Sequence, residues 1–235
     1  MRTLYELCGR EPDRLFSAYA WRVRLSLGLK GLEFESRPTP FTQIPVVLDG
    51  IHKTVPVFID GDTTITESFD ICTYLEDTYG DTPSIFGGNG GEGTKNGGQQ
   101  NAALIDNLIV TGLYPTISRM IILDIHDQLA SEDAEYFRTS REKRFGMSLE
   151  DVQRGRDKER AKFATFLKPY RRRLEAAPFL GGDAPLYADI ALAASFCWAK
   201  ATSPYDTTNG DEVLQTWFDQ VLAACNQTGA LKLAT

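Results

Sequence analysis

Residues 54–77 read TVPVFIDGDTTITESFDICTYLED, and the fold prediction depends on this stretch. Residues 55–59 alternate and are rich in β-branched side chains, which predicts a short strand. Asp60-Gly61 predicts a two-residue hairpin turn, because both residue types tolerate a positive φ. A second strand is predicted over residues 63–65. The helix that follows has its apolar stripe at Phe69, Cys72, Leu75 and Tyr79. The predicted unit is β-β-α.

Two features of this unit indicate a binding role. Pro56 opens the first strand, where an X-Pro bond can adopt the cis form at low cost. Glu67 and Ser68 stand where the helix begins, so that free backbone N–H groups and a hydroxyl converge on any carboxylate placed there. A valine–cis-proline strand that faces an acidic residue and a hydroxyl at a helix start resembles the glutathione-binding unit of the glutathione transferase superfamily.

The chain contains a near copy of this motif. Residues 44–50 (IPVVLDG) imitate residues 55–61 (VPVFIDG), so either Pro45 or Pro56 is a candidate for the functional proline. The first copy is followed only by His52-Lys53 before the second begins, which leaves no room for another strand and helix. We therefore assign the role to Pro56.

The N-terminal part predicts one α/β domain. Residues 3–7 and 33–37 are predicted strands, and residues 18–30 form a helix that Gly31 would terminate. Together with residues 54–77 the order is βαβ-ββα, an α/β thioredoxin-like N-terminal domain that occupies residues 1–82.

The C-terminal part is predicted to be all-α. Residues 87–98 (GGNGGEGTKNGG) have the composition of a flexible linker, and we place the Gly-rich linker at 83–98. A long helix is expected from residue 99 to about 129 with a kink at Pro115. Ser131 and Asp133 can cap the next helix, and further helices are expected within 149–176, 188–199 and 212–224. Residues 99–235 are the predicted all-α substrate domain.

Composition limits the classes of function. The 235 residues carry a net charge of -7, which argues against nucleic-acid or anionic-membrane partners. No apolar run approaches the roughly 20 residues that span a bilayer, and the N-terminus lacks the apolar segment of a signal peptide. The four cysteines are far apart without a CxxC, and there are two histidines. We expect reduced thiols, a cytoplasmic location and no metal site.

Ser17 is the candidate catalytic residue. In a thioredoxin-like fold the start of the first helix meets the substrate thiol, and a hydroxyl there can donate a hydrogen bond to a thiolate. The structural alternative is that Ser17 only caps the helix. Tyr5 in the first strand is the competing activator, since other transferase classes use a tyrosine from that strand.

Five further segments carry a narrower resemblance. They are 16–25 (FSAYAWRVRL), 122–127 (ILDIHD), 140–142 (SRE), 149–156 (LEDVQRGR) and 179–190 (FLGGDAPLYADI). They are similar to the bacterial lignin β-etherases and equally to the fungal etherase-related (FuA class) glutathione transferases. The resemblance implies a serine enzyme, glutathione as cosubstrate, aromatic or phenolic ligands and a homodimer. The implied chemistry is conjugation, β-aryl ether cleavage or peroxide reduction.

The same resemblance implies the glutathione contacts. The Val55 backbone would pair with the tripeptide as an added strand next to Pro56. Ser68 would take the γ-glutamyl carboxylate and Glu67 its ammonium group. Lys53 would take the glycyl carboxylate, with His52 a weaker candidate. The electrophile pocket is expected between the domains. Its candidate liners, for each of which core packing is an equal alternative, are Tyr19, Trp21, Phe41, Tyr114 and Met120.

Ser17 matches the serine of this family but stands where omega-like transferases have a cysteine, so mixed disulfides cannot form there. Two departures from the family pattern bear on function and stability. Ala18 replaces a frequent proline. Leu186 stands where a Ser, Thr or Asn usually precedes Asp189 by three residues, so half of a capping box is missing and the helix start should be weaker. On this basis Leu186→Ser is expected to gain stability.

Two alternatives to an enzyme remain at this stage. One is a non-catalytic ligandin that carries wood-derived polyphenols in the interdomain pocket. The other is a structural relative that has lost glutathione.

Overall fold

The N-terminal half is a four-stranded sheet covered by helices. The structure, a computed structural model, describes residues 1–87 and 92–229. The elements are β1 (Arg2–Leu7), α1 (Ala18–Leu29), β2 (Glu35–Thr39), β3 (Val57–Asp60), β4 (Thr63–Thr66) and α2 (Ser68–Thr78). The strand order is β2-β1-β3-β4, with β1 parallel to β2 and antiparallel to β3. The predicted βαβ-ββα order is confirmed. β2 begins two residues later than expected and, as an edge strand, accommodates Pro38.

The two copies of the proline motif fold differently. The Val55–Pro56 peptide bond is cis, and Pro56 leads into β3, which pairs with β1 on one side and β4 on the other. Pro45 instead lies between two short 3-10 turns, Phe41–Gln43 and Val47–Gly50. The cis bond expected at Pro56 is present, and its role in binding stays a prediction. The first copy has no neighbouring strand to pair with, so its alternating pattern does not become a strand.

Helix α1 is buried on nearly every side. It packs against α2 on the sheet and against the helical half, so even its charged side chains Arg22 and Arg24 are buried. Arg24 donates to both oxygens of the buried Glu6 carboxylate, at 2.9 and 2.7 Å. Arg22 pairs with Asp106, which also accepts from the Tyr187 hydroxyl. These pairs satisfy charges that burial would otherwise make costly.

The C-terminal half is helical. Its elements are α3 (Glu92–Leu108), α4 (Tyr114–Asp127), α5 (Ser131–Phe145), α6 (Leu149–Arg154), α7 (Arg156–Leu174), α8 (Tyr187–Thr202) and α9 (Glu212–Ala224). A π-helical turn, Ile109–Leu113, joins α3 to α4 directly before Pro115. The helical backbone thus changes its turn at this point, while the predicted kink at Pro115 stays a prediction. Proline cannot donate to the preceding turn, and the wider turn accommodates this.

The continuous helical stretch Gly97–Asp127 is long and apolar enough to cross a membrane by length and composition. Half of its most apolar window is buried inside the protein, however. Ile109, Leu113, Ile117 and Ile121 all belong to the core. This helix pair is the central element of the helical half.

Part of the predicted linker 83–98 is packed against the helical half, and residues 88–91 lie outside the described residues. Ile85 and Phe86 are buried, and the Ile85 carbonyl accepts a hydrogen bond from the Tyr187 N–H at 2.7 Å. Helix α3 begins at Glu92, inside the glycine-rich run. Composition measures local preference only, and packing of residues 85–87 against α8 overrides it here. The division into domains at 82 and 99 otherwise stays a prediction.

Candidate active site

A cavity of about 990 Å³ lies between the two halves of the described chain. Its N-terminal wall comes from the end of β1, the start of α1 and the loop 41–55. Its C-terminal wall comes from α4, α5 and Trp198 of α8. Ligand sites commonly lie at such a junction between domains, and the volume suits a drug-sized ligand.

Ser17 lies at the N-terminal wall and caps α1. Its Oγ accepts a hydrogen bond from the Ala20 N–H at 3.2 Å, and the residue is only 9% exposed. The structural alternative, a helix cap, is therefore present. A serine hydroxyl also has one proton to donate. In the described part of the chain nothing accepts that proton, so the cap and a donor role in the cavity are compatible.

The glutathione contacts implied by the resemblance are partly assembled on the same wall. Lys53 and Val55 line the cavity with Ser17, whereas His52 does not. Val55 precedes the cis-proline, and no turn or loop hydrogen bond within residues 1–87 and 92–229 uses its backbone groups. These groups are available to an extended peptide.

Glu67 and Ser68 stand at the N-terminus of α2, as predicted, although neither forms part of the cavity wall. Glu67 has a φ of 64°, which is uncommon for a residue with a side chain. Ser68 is buried at 4% exposure as the first residue of the helix. Strained backbone of this kind clusters at functional sites, and the helix terminus offers free N–H groups to an anion.

The competing activator, Tyr5, does not reach the cavity. It lies in the middle of β1 between its partners Arg37 and Val57 and is half-buried. Leu7, two residues on and therefore on the same face of the strand, is the β1 side chain that lines the cavity.

Aromatic side chains form much of the remaining wall. Of the five predicted liners, Tyr19, Phe41 and Tyr114 are in place. The Tyr19 and Tyr114 rings meet edge to face at 5.3 Å, and Tyr114 meets Trp198 at 5.6 Å. Burial raises the pKa of both tyrosines above the ordinary value, so they stay protonated. The Arg22 guanidinium lies over the Tyr114 ring, 5.2 Å from its centre, and counteracts part of this rise in the Tyr114 pKa.

Trp21 and Met120 are corrections to the predicted pocket. Trp21 is 2% exposed, and its indole N–H donates to the Leu15 carbonyl at 3.0 Å. Met120 is completely buried within α4. Both residues lie on helix faces that point into the core, and a residue type alone does not tell which face it occupies.

Sequence reasoning missed the basic part of the site. Arg119 of α4 and Arg141 and Arg144 of α5 line the cavity opposite Ser17. A signal was available on α5. Phe137, Arg141 and Phe145 are spaced i, i+4 and i+8, which places an arginine and two aromatic rings on one helix face. No group of three or more metal-ligating side chains occurs among the described residues.

Comparison with known proteins gives a consistent picture. The model of the glutathione S-transferase N-terminal domain matches residues 12–83, and that of the C-terminal domain matches residues 102–227. Curated relatives include glutathione S-transferase Z1 of Arabidopsis thaliana, 36% identical over 33% of this chain and 39% of its own length. The probable glutathione S-transferase GSTU1 of Oryza sativa subsp. indica is 29% identical over 54% of this chain and 58% of its length. The chain thus matches between about two-fifths and three-fifths of these relatives.

Solved structures share the whole fold. Glutathione transferase GSTFuA3 from Phanerochaete chrysosporium is 23% identical with a TM-score of 0.80, covering 95% of this chain and 96% of its own. The glutathione S-transferase CsGST63524 of Ceriporiopsis subvermispora, solved in complex with glutathione, is 22% identical with a TM-score of 0.82 and 99% coverage of both chains.

Proposed function

The chain belongs to the glutathione S-transferase family, and from that premise we propose that Ser17 stabilises the thiolate of bound glutathione for attack on aromatic electrophiles. The observation that carries the proposal is the Ser17 hydroxyl. It caps α1 with a lone pair and keeps its proton free beside the cavity. The fungal neighbour with bound glutathione has the same fold, which supports glutathione as the cosubstrate.

Glutathione would lie along the N-terminal wall. The Val55 backbone would pair with the tripeptide, and Lys53 would neutralise the glycyl carboxylate. Ser68 and Glu67 at the start of α2 would take the γ-glutamyl carboxylate and ammonium. This orientation directs the cysteinyl sulfur towards the start of α1.

The energy required of Ser17 is small. A free thiol with a pKa of about 8.5 is roughly 3% ionised at pH 7, and lowering that pKa by ~2 units makes the thiolate the major form. The change corresponds to about 2.7 kcal/mol. One charge-assisted hydrogen bond together with the helix dipole can supply it.

The electrophile would bind among Tyr19, Phe41 and Tyr114, against which an aromatic ring can stack. The thiolate then attacks a carbon centre and forms a C–S bond, and the leaving group, a halide in a halonitrobenzene, departs with the electron pair of the bond that breaks. The resemblance to etherases adds β-aryl ether cleavage, in which a phenolate leaves, and peroxide reduction as related activities. A homodimer in the cytoplasm remains our prediction for its assembly and location.

A second candidate function is a ligandin that stores polyphenols without turnover. The cavity volume of about 990 Å³ favours it, because that is near the upper end for small-molecule sites and exceeds what a single small electrophile needs. Turnover distinguishes the two functions.

The test compares Ser17→Ala, Ser17→Asp and Tyr5→Phe with the wild type, using glutathione and a halonitrobenzene. Ser17→Ala should lower kcat/KM roughly 30-fold at pH 7 and move its apparent pKa from about 6.5 to about 8.5. Ser17→Asp keeps a helix cap but offers a negative acceptor in place of a donor, so it should be folded and at least as slow as Ser17→Ala. Tyr5→Phe should be unchanged. Equal rates for Ser17→Ala and the wild type would remove Ser17 from the mechanism. If the wild type turned over none of the electrophiles tested, the ligandin function would be favoured instead.

A further inference from the structure

The cavity wall has the opposite charge to the chain as a whole. The protein carries a net charge of -7, yet the described residues that line the cavity include four cations and one carboxylate. The cations are Lys53, Arg119, Arg141 and Arg144, and the carboxylate is Glu132. A concave surface of one sign in a protein of the other sign concentrates oppositely charged ligands.

Arg141 is half-buried between two aromatic rings. Its guanidinium carbon lies 4.8 Å from the Phe137 ring centre and 5.8 Å from that of Phe41. One Nη donates to the Ser140 hydroxyl at 3.0 Å, and within the described residues no carboxylate lies within 4 Å. Burial lowers the pKa of Arg141 from its ordinary value, with the neighbouring Arg144 adding to the effect. The side chain nevertheless stays charged, and the two rings and the Ser140 hydroxyl compensate its desolvation only in part until an anion binds.

The neighbouring arginine on the same helix shows the contrast. Arg138 points away from the cavity and pairs with Glu142 and Glu150, at 2.8 and 2.9 Å. Acidic partners are therefore available on this part of the surface. Arg141, which lines the cavity, has no such carboxylate partner among the described residues.

The two other arginines extend the same surface. Arg119 of α4 lies 5.0 Å above the Phe145 ring, and Arg144 is exposed at the rim of the cavity. Neither forms an ion pair with a residue in 1–87 or 92–229. We call Arg119, Arg141 and Arg144 the arginine wall. It lies on the helical side, whereas Lys53 lies on the side assigned to glutathione.

We propose that the arginine wall selects aromatic ligands and electrophiles that carry an anionic group, such as an aromatic carboxylate or sulfonate. This inference deepens the proposed function, because it names the class of compound that the glutathione thiolate would attack. Only the turnover of such compounds rests on the proposed function, whereas their binding does not. A planar guanidinium binds a carboxylate through two parallel hydrogen bonds, and the adjoining phenylalanine rings receive the aromatic frame. Neutral aromatics would gain only the ring contacts.

The test is a fluorescence titration that requires no turnover. The probe is anilinonaphthalene sulfonate, and the matched neutral probe is phenylnaphthylamine, which has the same rings without the sulfonate. The wild type should bind the anion at least about ten-fold more tightly than the neutral probe, since a charged hydrogen bond contributes on that scale. Arg141→Gln and Arg119→Gln should each remove most of that preference. Arg141→Lys should restore part of it, because the charge remains but the fork is lost.

Lys143→Gln is the matched control. This lysine is exposed on the same turn of α5, is not part of the wall, and carries the same charge. It should leave both affinities unchanged. Equal affinity for the two probes, or equal weakening of both in Arg141→Gln, would overturn the proposal. So would a large rise in the KM for glutathione in Arg141→Gln, which would assign the arginine to the tripeptide. If the wild type prefers the anionic probe but does not turn over any electrophile with glutathione, the proposed function is wrong and the anion preference still stands.

Discussion

The Lys30 ammonium lies 2.9 Å from the Glu76 carboxylate, with the two side chains 1% and 12% exposed. Lys30 also donates to the carbonyls of Tyr79 and Pro83, each at 3.2 Å. Glu76 accepts from the Ile85 N–H at 2.9 Å. The pair therefore fastens the end of α1, the end of α2 and the segment leading to the helical half. It explains why residues 83–87 are ordered although their neighbours are rich in glycine.

We predict that Glu76→Gln destabilises the protein by roughly 2 kcal/mol at pH 7, because an amide replaces a charged acceptor for a buried ammonium. Burial alone would raise the pKa of Glu76, but the hydrogen bonds from Ile85 and Ser84 and the charge of Lys30 lower it overall. A lowered pKa in the folded state gives stability that is present above the ordinary value of about 4.3 and is lost as the pH falls through the folded value. Urea unfolding across pH 3–7 measures the difference.

Glu135→Gln is the control for this prediction, since Glu135 is exposed on α5 without an ion pair among the described residues. It should change stability by less than about 0.5 kcal/mol at every pH. The prediction for Glu76 would be wrong if the gap between wild type and Glu76→Gln stayed constant down to pH 3.

Replacement of Ser17 by cysteine should convert the site to thiol exchange. The Ala20 N–H that now reaches Oγ at 3.2 Å would face the new sulfur, and a helix start lowers a thiol pKa. With oxidised glutathione, the introduced thiolate attacks one sulfur, the disulfide breaks, and one glutathione leaves as its thiolate. Mass spectrometry should find one glutathionyl group on Ser17→Cys and none on the wild type. The four native cysteines are buried and provide the internal control. An unmodified variant would mean that the sulfur does not face the cavity.

At the start of α8, Leu186 occupies the helix cap and Asp189 follows three residues later, and we predict how replacing each one changes stability. Leu186 has no side-chain acceptor, as expected from the sequence, but Asp189 compensates. Its carboxylate accepts from the N–H groups of Leu180, Gly181 and Leu186, and from the Trp217 indole at 2.8 Å. The Leu186 side chain also fills the space beside Gly87 and Gly181.

Leu186→Ser should therefore be close to neutral, unlike the gain that the sequence alone predicted. A serine cap contributes about 1 kcal/mol, and removing a half-buried leucine costs a similar amount. Asp189→Asn should cost at least about 2 kcal/mol, because its amide NH₂ would face donors. Urea unfolding of both variants measures these values. Stabilisation of Leu186→Ser by a full 1 kcal/mol would show that the missing cap outweighs the packing.

The parts of the site that the sequence predicted are local in the chain. Pro56 and Ser68 belong to one hairpin-helix unit whose spacing is fixed by strand and helix geometry, and Ser17 stands at a recognisable helix start. The arginine wall combines Arg119 of α4 with Arg141 and Arg144 of α5, so no single local pattern contains all of it. Trp21 failed as a predicted liner because α1 is buried on nearly all sides, which removes the polar–apolar periodicity that would show which face it occupies.

Gly97 and Gly98, in the N-terminal half of α3, show how packing can override what composition predicts. Nothing lies within 4 Å of a Cβ added to Gly97, so Gly97→Ala should gain roughly 1 kcal/mol from helix propensity. A Cβ added to Gly98 would lie 2.4 Å from the Phe86 carbonyl oxygen, which is backbone and cannot move aside cheaply. Gly98→Ala should therefore destabilise by about 1 kcal/mol or more despite the same propensity gain. Thermal unfolding of the two variants under identical conditions should move Tm in opposite directions. If both substitutions raise Tm, this part of the chain is the flexible linker that its composition indicates, and α3 starts later.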